Sequence, residues 1–248
     1  MGELVSIIMP NYNGAKYLQE TLNSVLAQSY TNWELLFVDD CSTDNSLEIV
    51  QAIQDERIRI LKNENNSGAA KSRNYALCEA KGKWIAFLDS DDLWTPEKLE
   101  KQIAFMETNA YVFTFTDYAL VDKEDKIITV YKPKKDNCSY KDILQHCYIG
   151  CSTVMYDKDA LGEISMPEKA IKREDFACWL MILKKTEKAY CLHESLMQYR
   201  IHKGSVSSNK TKMVKYQWNV YRKVERLSII KSCYYMLHWA IRGVLKYK

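Results

Sequence analysis

Short unbroken apolar runs alternate with amphipathic stretches through the first 110 residues. Residues 4–9 are an apolar run stopped by Pro10, as in a strand buried on both faces. Leu18, Leu22, Val25 and Leu26 then fall at helical spacing within 15–28. A second buried strand over 34–38 is closed by Asp39-Asp40, and Ser42 or Thr43 can cap a helix running through Leu47, Val50 and Ile53. Residues 57–61 read as a third strand and 69–80 as another helix. Residues 84–88 are a fourth apolar strand, ending abruptly at Asp89-Ser90-Asp91-Asp92. Thr95-Pro96-Glu97 offers a capping hydroxyl, a proline at the first helical position and an acid in the first turn. This alternation predicts a mostly parallel sheet with helices on both faces.

After Asn109 the pattern changes. Strands are expected over 111–116, 127–131 and 152–156, and a short helix over 140–147. An amphipathic helix over 173–185 opens on Glu174-Asp175, and 203–208 reads as a loop. The organisation expected is a nucleotide-binding half at 1–110, an acceptor-side half at 111–208 and a basic helical extension at 209–248.

In such sheets a ligand sits beyond the carboxyl ends of the strands. Three polar clusters fall there: Pro10-Asn11-Tyr12-Asn13, Asp39-Asp40 and Asp89 to Asp92. Three carboxylates within four residues repel one another unless a cation or donor intervenes, and hard oxygen ligands suit Mg²⁺ or Mn²⁺. The bland alternative is a solvated acidic turn capping the next helix. A carboxylate at Asp39-Asp40 can accept from a nucleobase imide or a ribose, or simply cap the following turn. Tyr12 offers a ring for stacking. Asn66-Ser67-Gly68 runs into a helix carrying Lys71 and Arg73, an arrangement that favours phosphate.

Four segments together resemble family 2 glycosyltransferases: Ser6-Ile7-Ile8-Met9-Pro10-Asn11-Tyr12-Asn13, Val38-Asp39-Asp40-Cys41-Ser42-Thr43-Asp44, Asn66-Ser67-Gly68 to Arg73-Asn74, and Phe87-Leu88-Asp89-Ser90-Asp91-Asp92. The resemblance is strong over 4–110. It returns at Arg173-Glu174-Asp175 and at Tyr199-Arg200-Ile201-His202-Lys203-Gly204. It implies an α/β fold of the GT-A (Rossmann-like) type and an inverting, metal-assisted enzyme that moves a sugar from a nucleotide-sugar donor, UDP-linked by expectation. Pro10, Tyr12 and Asp40 would hold the base, with Asp39 supporting the turn and Asn13 beside it in the nucleotide-sugar site. Arg73 would lie near the base or diphosphate, Asp89 would bind the donor ribose or sugar, and Asp91 would coordinate Mg²⁺ or Mn²⁺. Asp175 would be the catalytic base and Glu174 would assist it. Arg200 and His202 would lie on a mobile segment closing over the diphosphate. Two other readings stay open: a sugar nucleotidyltransferase, which should show a Gly-rich phosphate loop near the first strand, and a non-catalytic nucleotide- or glycan-binding scaffold.

Net charge alters the picture at the C-terminus. Residues 209–248 hold ten Lys and Arg against one acid, Glu225, so they carry +9 while the rest carries −6. Apolar residues from Met213 to Val244 recur at spacings of three and four, one stripe on one or two helices. This predicts a segment that lies on an anionic membrane surface, packs on the body or forms a homodimer contact. The longest uncharged stretch there, 232–241, is half of the ~20 residues that span a bilayer. With no signal-peptide layout at the start, the expected location is cytoplasmic, peripheral at the inner face of the membrane, with a lipid-linked or cell-surface glycan as acceptor. Acidic clefts and the lack of a known module exclude nucleic acid as partner. Eight scattered cysteines with no CxxC pair read as reduced thiols, several of them in the core. No role is assigned to His146, His193 or His238.

Overall fold

Strand β1 (Val5–Asn11) is buried from Val5 to Met9, because a strand in the middle of a sheet covered on both sides meets no water on either face. It is followed by α1 (Ala15–Leu26), β2 (Trp33–Asp39), α2 (Ser46–Gln51), β3 (Ile58–Lys62), α3 (Ala69–Glu79) and β4 (Trp84–Phe87). The structure, a computed structural model, describes residues 2–122, 124–201 and 210–245, the side chains of 210, 211 and 242–245 excepted. The second half contributes β5 (Leu93–Trp94), α4 (Lys98–Asn109), β6 (Phe113–Val121), β7 (Ile127–Tyr131), β8 (Asn137–Ser139), α5 (Tyr140–Gln145), β9 (Met155–Asp157), α6 (Lys158–Leu161), α7 (Glu174–Thr186) and β10 (Lys188–Arg200). Helices α8 (Lys210–Asn219) and α9 (Ile229–Leu245) follow, with a π-helical turn at Val220–Val224 between them.

All strands join one mixed sheet in the order β3-β2-β1-β4-β9-β6-β10-β5, with β7 beside β6 and β8 beside β10. Two parallel blocks, β3-β2-β1-β4 and β6-β10, are joined through the antiparallel strand β9. Side chains alternate between two cores. Ile8, Leu36, Val38, Ile85 and Phe87 face one side, while Ile7, Met9, Leu35, Phe37 and Leu88 face the other. Strand order reverses at β1, whose neighbours are β2 and β4, so the crevice for a ligand opens at the carboxyl ends of those three strands.

Local details depart from the expected caps. Ser42 does not cap α2; its hydroxyl accepts from Asn11 Nδ2 (3.1 Å) and from the Asn13 N–H (3.0 Å), tying the β1 exit to the β2 exit. Helix α4 begins at Lys98, and the Thr95 hydroxyl is buried without a partner while its carbonyl closes the first turn. The strand expected at 152–156 starts as a 3₁₀ turn, Cys151–Thr153, and becomes β9 only at Met155. The 13-residue β10 was not foreseen, because its polar and apolar residues do not alternate cleanly.

The C-terminal helices dock on the body. Val220 and Tyr221 are fully buried, and the Tyr221 hydroxyl donates to the Leu144 carbonyl (2.6 Å). The Glu225 carboxylate accepts from Tyr140 (2.5 Å) and pairs with Lys184 (2.6 Å). No helix among the described residues is long and apolar enough to cross a membrane.

Candidate active site

The floor of the crevice is the turn after β4. Asp92 is turned inward and 1% exposed; its carboxylate accepts from the Ser152 hydroxyl (2.6 Å), which accepts from the Asp89 N–H (3.0 Å). Burial, then the nearby Asp91 and Asp89, push the Asp92 carboxyl well above the usual range. Asp92 therefore shapes the turn rather than offering an anionic ligand. All three aspartates border the crevice, but Asp89 and Asp91 are half-buried where Asp92 is buried, so the acidic cluster separates into one buried and two half-buried carboxylates.

One wall comes from the exits of β1 and β2, which the register sets level, Asn11 opposite Asp39. Asn13 and Cys41 both take left-handed backbone (φ 52° and 62°), turning the chain sharply at each exit. A Cβ on Gly14 would come 2.2 Å from Asn11 Oδ1, so any larger residue here would displace the Asn11 side chain. Tyr12 projects into solvent at the crevice edge, 53% exposed. The Asp40 carboxylate accepts from Asn63 Nδ2 (2.7 Å) and the N–H groups of Ser67 and Gly68 (both 2.8 Å). A carboxylate has about four acceptor positions, so one remains on Asp40 Oδ2, and Asp40 lines the crevice. Asp39 accepts from the Ser42 N–H (3.2 Å) and is not among the lining residues.

Arg73 joins the two halves of the chain. Its guanidinium is buried between Asp89 (2.6 Å) and Glu174 (3.2 Å), with its Nε–H unpartnered. Burial opposes the charge, but Cys151, Asp89 and Glu174 around it outweigh that and hold its pKa well above the ordinary value. Glu174 is buried at the start of α7, and burial raises its pKa against the pull of Arg73. Asp175, the next residue, is half-buried and lines the crevice. Two adjacent carboxylates are thereby given different surroundings, one clamped and one facing the ligand space.

The crevice measures ≈ 970 Å³, at the upper end of the roughly 300–1,000 Å³ usual for ligand sites. It gathers Pro10, Tyr12, Asn13, Asp40, Arg73, Asp89, Asp91, Glu174 and Asp175. Arg200 is placed elsewhere than expected. It ends β10, 1% exposed, with its guanidinium paired to Glu20 (2.5 Å) and Asp125 (2.7 Å), donating to the Asp91 carbonyl (3.2 Å) and lying over the Tyr17 ring. It braces the acidic turn from beneath. His202 lies outside the described residues. Sequence reading missed the crevice cations Lys16 and Lys172, gave no role to Arg173 or Tyr199 within their motifs, and did not foresee an aromatic wall of Tyr118, Tyr148 and Tyr199. Tyr118 packs on Tyr199 and Tyr131, whose hydroxyl meets His146 Nε2 (3.2 Å). Seventeen tyrosines scattered along the chain carry no signal of which ones converge.

Comparison with known proteins agrees with this architecture. The family model for glycosyl transferase family 2 matches residues 6–164. The glycosyltransferase TuaG of Bacillus subtilis (strain 168), named for teichuronic acid biosynthesis, is 44% identical over 98% of this chain and 97% of its own. The Escherichia coli UDP-Glc:alpha-D-GlcNAc-diphosphoundecaprenol beta-1,3-glucosyltransferase WfgD is 40% identical over 98% of this chain and 95% of its own. Among solved structures, S. aureus TarS (residues 1–349) in complex with UDP-GlcNAc superposes with a TM-score of 0.70 at 24% identity, covering 88% of this chain and 66% of that one. The mannosyltransferase PcManGT from Pyrobaculum calidifontis, in complex with GDP-Man and Mn²⁺, gives 0.69 at 16% identity over 95% of this chain and 70% of that one. At those identities the structural likeness establishes the GT-A-like fold alone.

Proposed function

The chain belongs to glycosyl transferase family 2 and is a glycosyltransferase; on that premise we propose that it moves a hexosyl unit from a UDP-sugar to a hydroxyl of a lipid-linked glycan with inversion. The observation that carries the reading is the convergence of Tyr12, Asp40, Arg73, Asp89, Asp91 and Asp175 on one crevice at the strand-order reversal. WfgD acts, by its name, on a UDP-Glc donor and a diphosphoundecaprenol-linked acceptor, and it matches nearly the whole chain.

Tyr12 stacks the base, a contact worth roughly 1–3 kcal/mol in comparable sites. The remaining acceptor position of Asp40 takes the uracil imide N–H, while Asn63, Ser67 and Gly68 hold that carboxylate in place. Asp89, fixed by Arg73, accepts from the donor ribose or sugar. The donor set at the acidic turn fits a hard divalent cation: Asp91 would hold Mg²⁺ or Mn²⁺, with Asp92 withheld by burial. Such an ion supplies Lewis-acid neutralisation of the departing diphosphate.

Asp175 takes the proton of the acceptor hydroxyl as that oxygen attacks the anomeric carbon. Glu174, held by Arg73, keeps the first turn of α7 in register with the donor half. Attack opposite the leaving group turns an α-linked donor into a β-linked product, the linkage in the name of WfgD. The wall of Tyr118, Tyr148 and Tyr199 offers apolar faces to an acceptor sugar.

Helix α9 brings the enzyme to its lipid-linked substrate at the cytoplasmic face of the membrane. Ile229, Ile230, Tyr234, Leu237 and Ile241 are each more than half exposed and share one side of the helix. Combined with the +9 charge of 209–248, this suits an interfacial helix on anionic lipid.

The test is transfer itself. With UDP-glucose and other UDP-sugars offered against a GlcNAc-diphospho-lipid, one donor should give a product one sugar heavier with a β linkage by NMR. Absence of product with every UDP-sugar, in protein that does not bind UDP, would sink the reading.

A further inference from the structure

A second group of metal-binding side chains lies away from the crevice. Asp117 on β6 and Cys191 and His193 on β10 bring their ligand atoms within 4.8 Å of one another. Cys191 Sγ is 3.5 Å from Asp117 Oδ1 and 3.7 Å from His193 Nδ1, and His193 Nδ1 is 3.2 Å from Asp117 Oδ1.

A fault in strand pairing builds this cluster. Between the pairs Leu192–Thr116 and Met197–Tyr118, β10 advances five residues while β6 advances two. The odd excess turns the facing of β10 over. Beyond the bulge Met197 and Tyr199 lie on the same face as Tyr118 and Leu120 and line the crevice. Before it Cys191 pairs with Phe115, on the Asp117 side of β6. The bulge residue His193 swings over the rim between them, its side chain 39% exposed.

We infer that Asp117, Cys191 and His193 form a site for one Zn²⁺ ion, distinct from the crevice and bracing the β10 bulge against β6. Ideal tetrahedral zinc, with bonds of about 2.3 Å to sulfur and 2.0–2.1 Å to nitrogen and oxygen, sets ligand edges of about 3.6 Å for S–N, 3.5 Å for S–O and 3.3 Å for N–O. The three observed edges each agree with these within about 0.2 Å. His193 Nε2 lies 3.2 Å from Asp136 Oδ1, so the nitrogen turned away from the metal position is held by a carboxylate, the usual outer partner of a metal-bound imidazole. Asp117 is 0% exposed and its Oδ2 has no hydrogen-bond partner, an expensive arrangement for a carboxylate with no cation beside it. Asp136 and His193 reach solvent, which leaves an entry path and a water for the fourth position. Mixed sulfur, nitrogen and oxygen donors favour zinc over Mg²⁺ or Mn²⁺, so the two positions select different ions. The ion displaces the Cys191 thiol proton to solvent. The inference stands on these residues alone and does not depend on the donor or acceptor assigned above.

The experiment is Co²⁺ titration of the full chain, followed by the thiolate-to-cobalt charge-transfer absorption, with Zn²⁺ as competitor. Wild type and Asp91→Ala should both bind one equivalent with that band, and excess Mg²⁺ should not displace it. Cys191→Ser should lose the band, and Asp136→Asn should weaken binding about 10–100-fold. Zn²⁺ at a hundredfold excess over Kd should raise Tm by about 5–10 °C in wild type and not in His193→Ala, whose exposed side chain can be removed without opening the core. No band in folded wild type would overturn the site. A band unchanged in both Cys191→Ser and His193→Ala would overturn it too, placing the cobalt on another cysteine.

Discussion

Residues 5–109 and residues 111–245 build one sheet by different rules, and the difference decides which residues each brings to the crevice. In the first region β1 to β4 are all parallel and, apart from the half-buried edge strand β3, buried on both faces, and the exits of β1, β2 and β4 deposit polar residues at one edge. In the second, antiparallel pairings intervene, β7 is largely exposed and β10 carries a bulge that reverses its facing. The first is a cradle read directly from strand ends; the second is an irregular wall that joins it through the β4–β9 and β5–β10 pairings and two shared cores. Within the crevice Arg73 ties the two together, with Asp89 on one side and Glu174, 101 residues away, on the other.

The largest effect should come from Asp175, the base proposed above and contributed by the second region. Asp175→Asn should lower kcat by about 10²–10⁴-fold while UDP affinity stays within a factor of a few, since positioned proton transfer contributes on that scale. Steady-state kinetics with calorimetry of UDP binding would check it; equal losses in both would place Asp175 in the donor half. Next, Arg73→Ala leaves Glu174 buried and unpaired, and should cost about 3–5 kcal/mol in urea unfolding, as breaking a buried pair does. Glu225→Gln loosens the C-terminal helices from Tyr140 and Lys184; a loss of about 1–3 kcal/mol is expected, with UDP affinity unchanged.

Smaller still is a pH effect. The Asp92 carboxyl is raised by burial in the folded chain, so its contribution to stability is fully present below the ordinary carboxylate pKa and is lost as pH rises toward the folded value. Asp92→Asn should therefore gain stability relative to wild type between pH 5 and 8, at no more than about 1.4 kcal/mol per pH unit. Thermal unfolding at several pH values would show it, and a flat difference would contradict the assignment. Last, Ile230→Ser with Leu237→Ser should leave Tm nearly unchanged, within about 0.5 kcal/mol per exposed site, yet reduce co-sedimentation with anionic vesicles.

Legibility followed the same division. Apolar runs ending in Pro10, Asp39 and Asp89 exposed the parallel block and the crevice, because a strand buried on both faces writes its boundaries into composition. The division within the acidic turn was not legible, since only the fold buries Asp92 under Ser152 while leaving Asp89 and Asp91 half-buried at the crevice. Arg200 looked like a diphosphate ligand by its neighbours in sequence, but Glu20 and Asp125, far along the chain, claim its charge. Cys191 and His193 formed no recognisable metal spacing, because their partner Asp117 lies 74 residues earlier and a bulge aligns them.

The central claim, that the two regions close one nucleotide-sugar crevice with Asp91 at its floor, is tested most directly by calorimetric titration of UDP, dTDP and GDP, with and without Mn²⁺, on wild type and Asp91→Ala. The account predicts tight binding of UDP in preference to the others, strengthened by Mn²⁺ in wild type and insensitive to Mn²⁺ in Asp91→Ala. Absence of binding by folded wild type, or Mn²⁺ dependence that survives in Asp91→Ala, would contradict it.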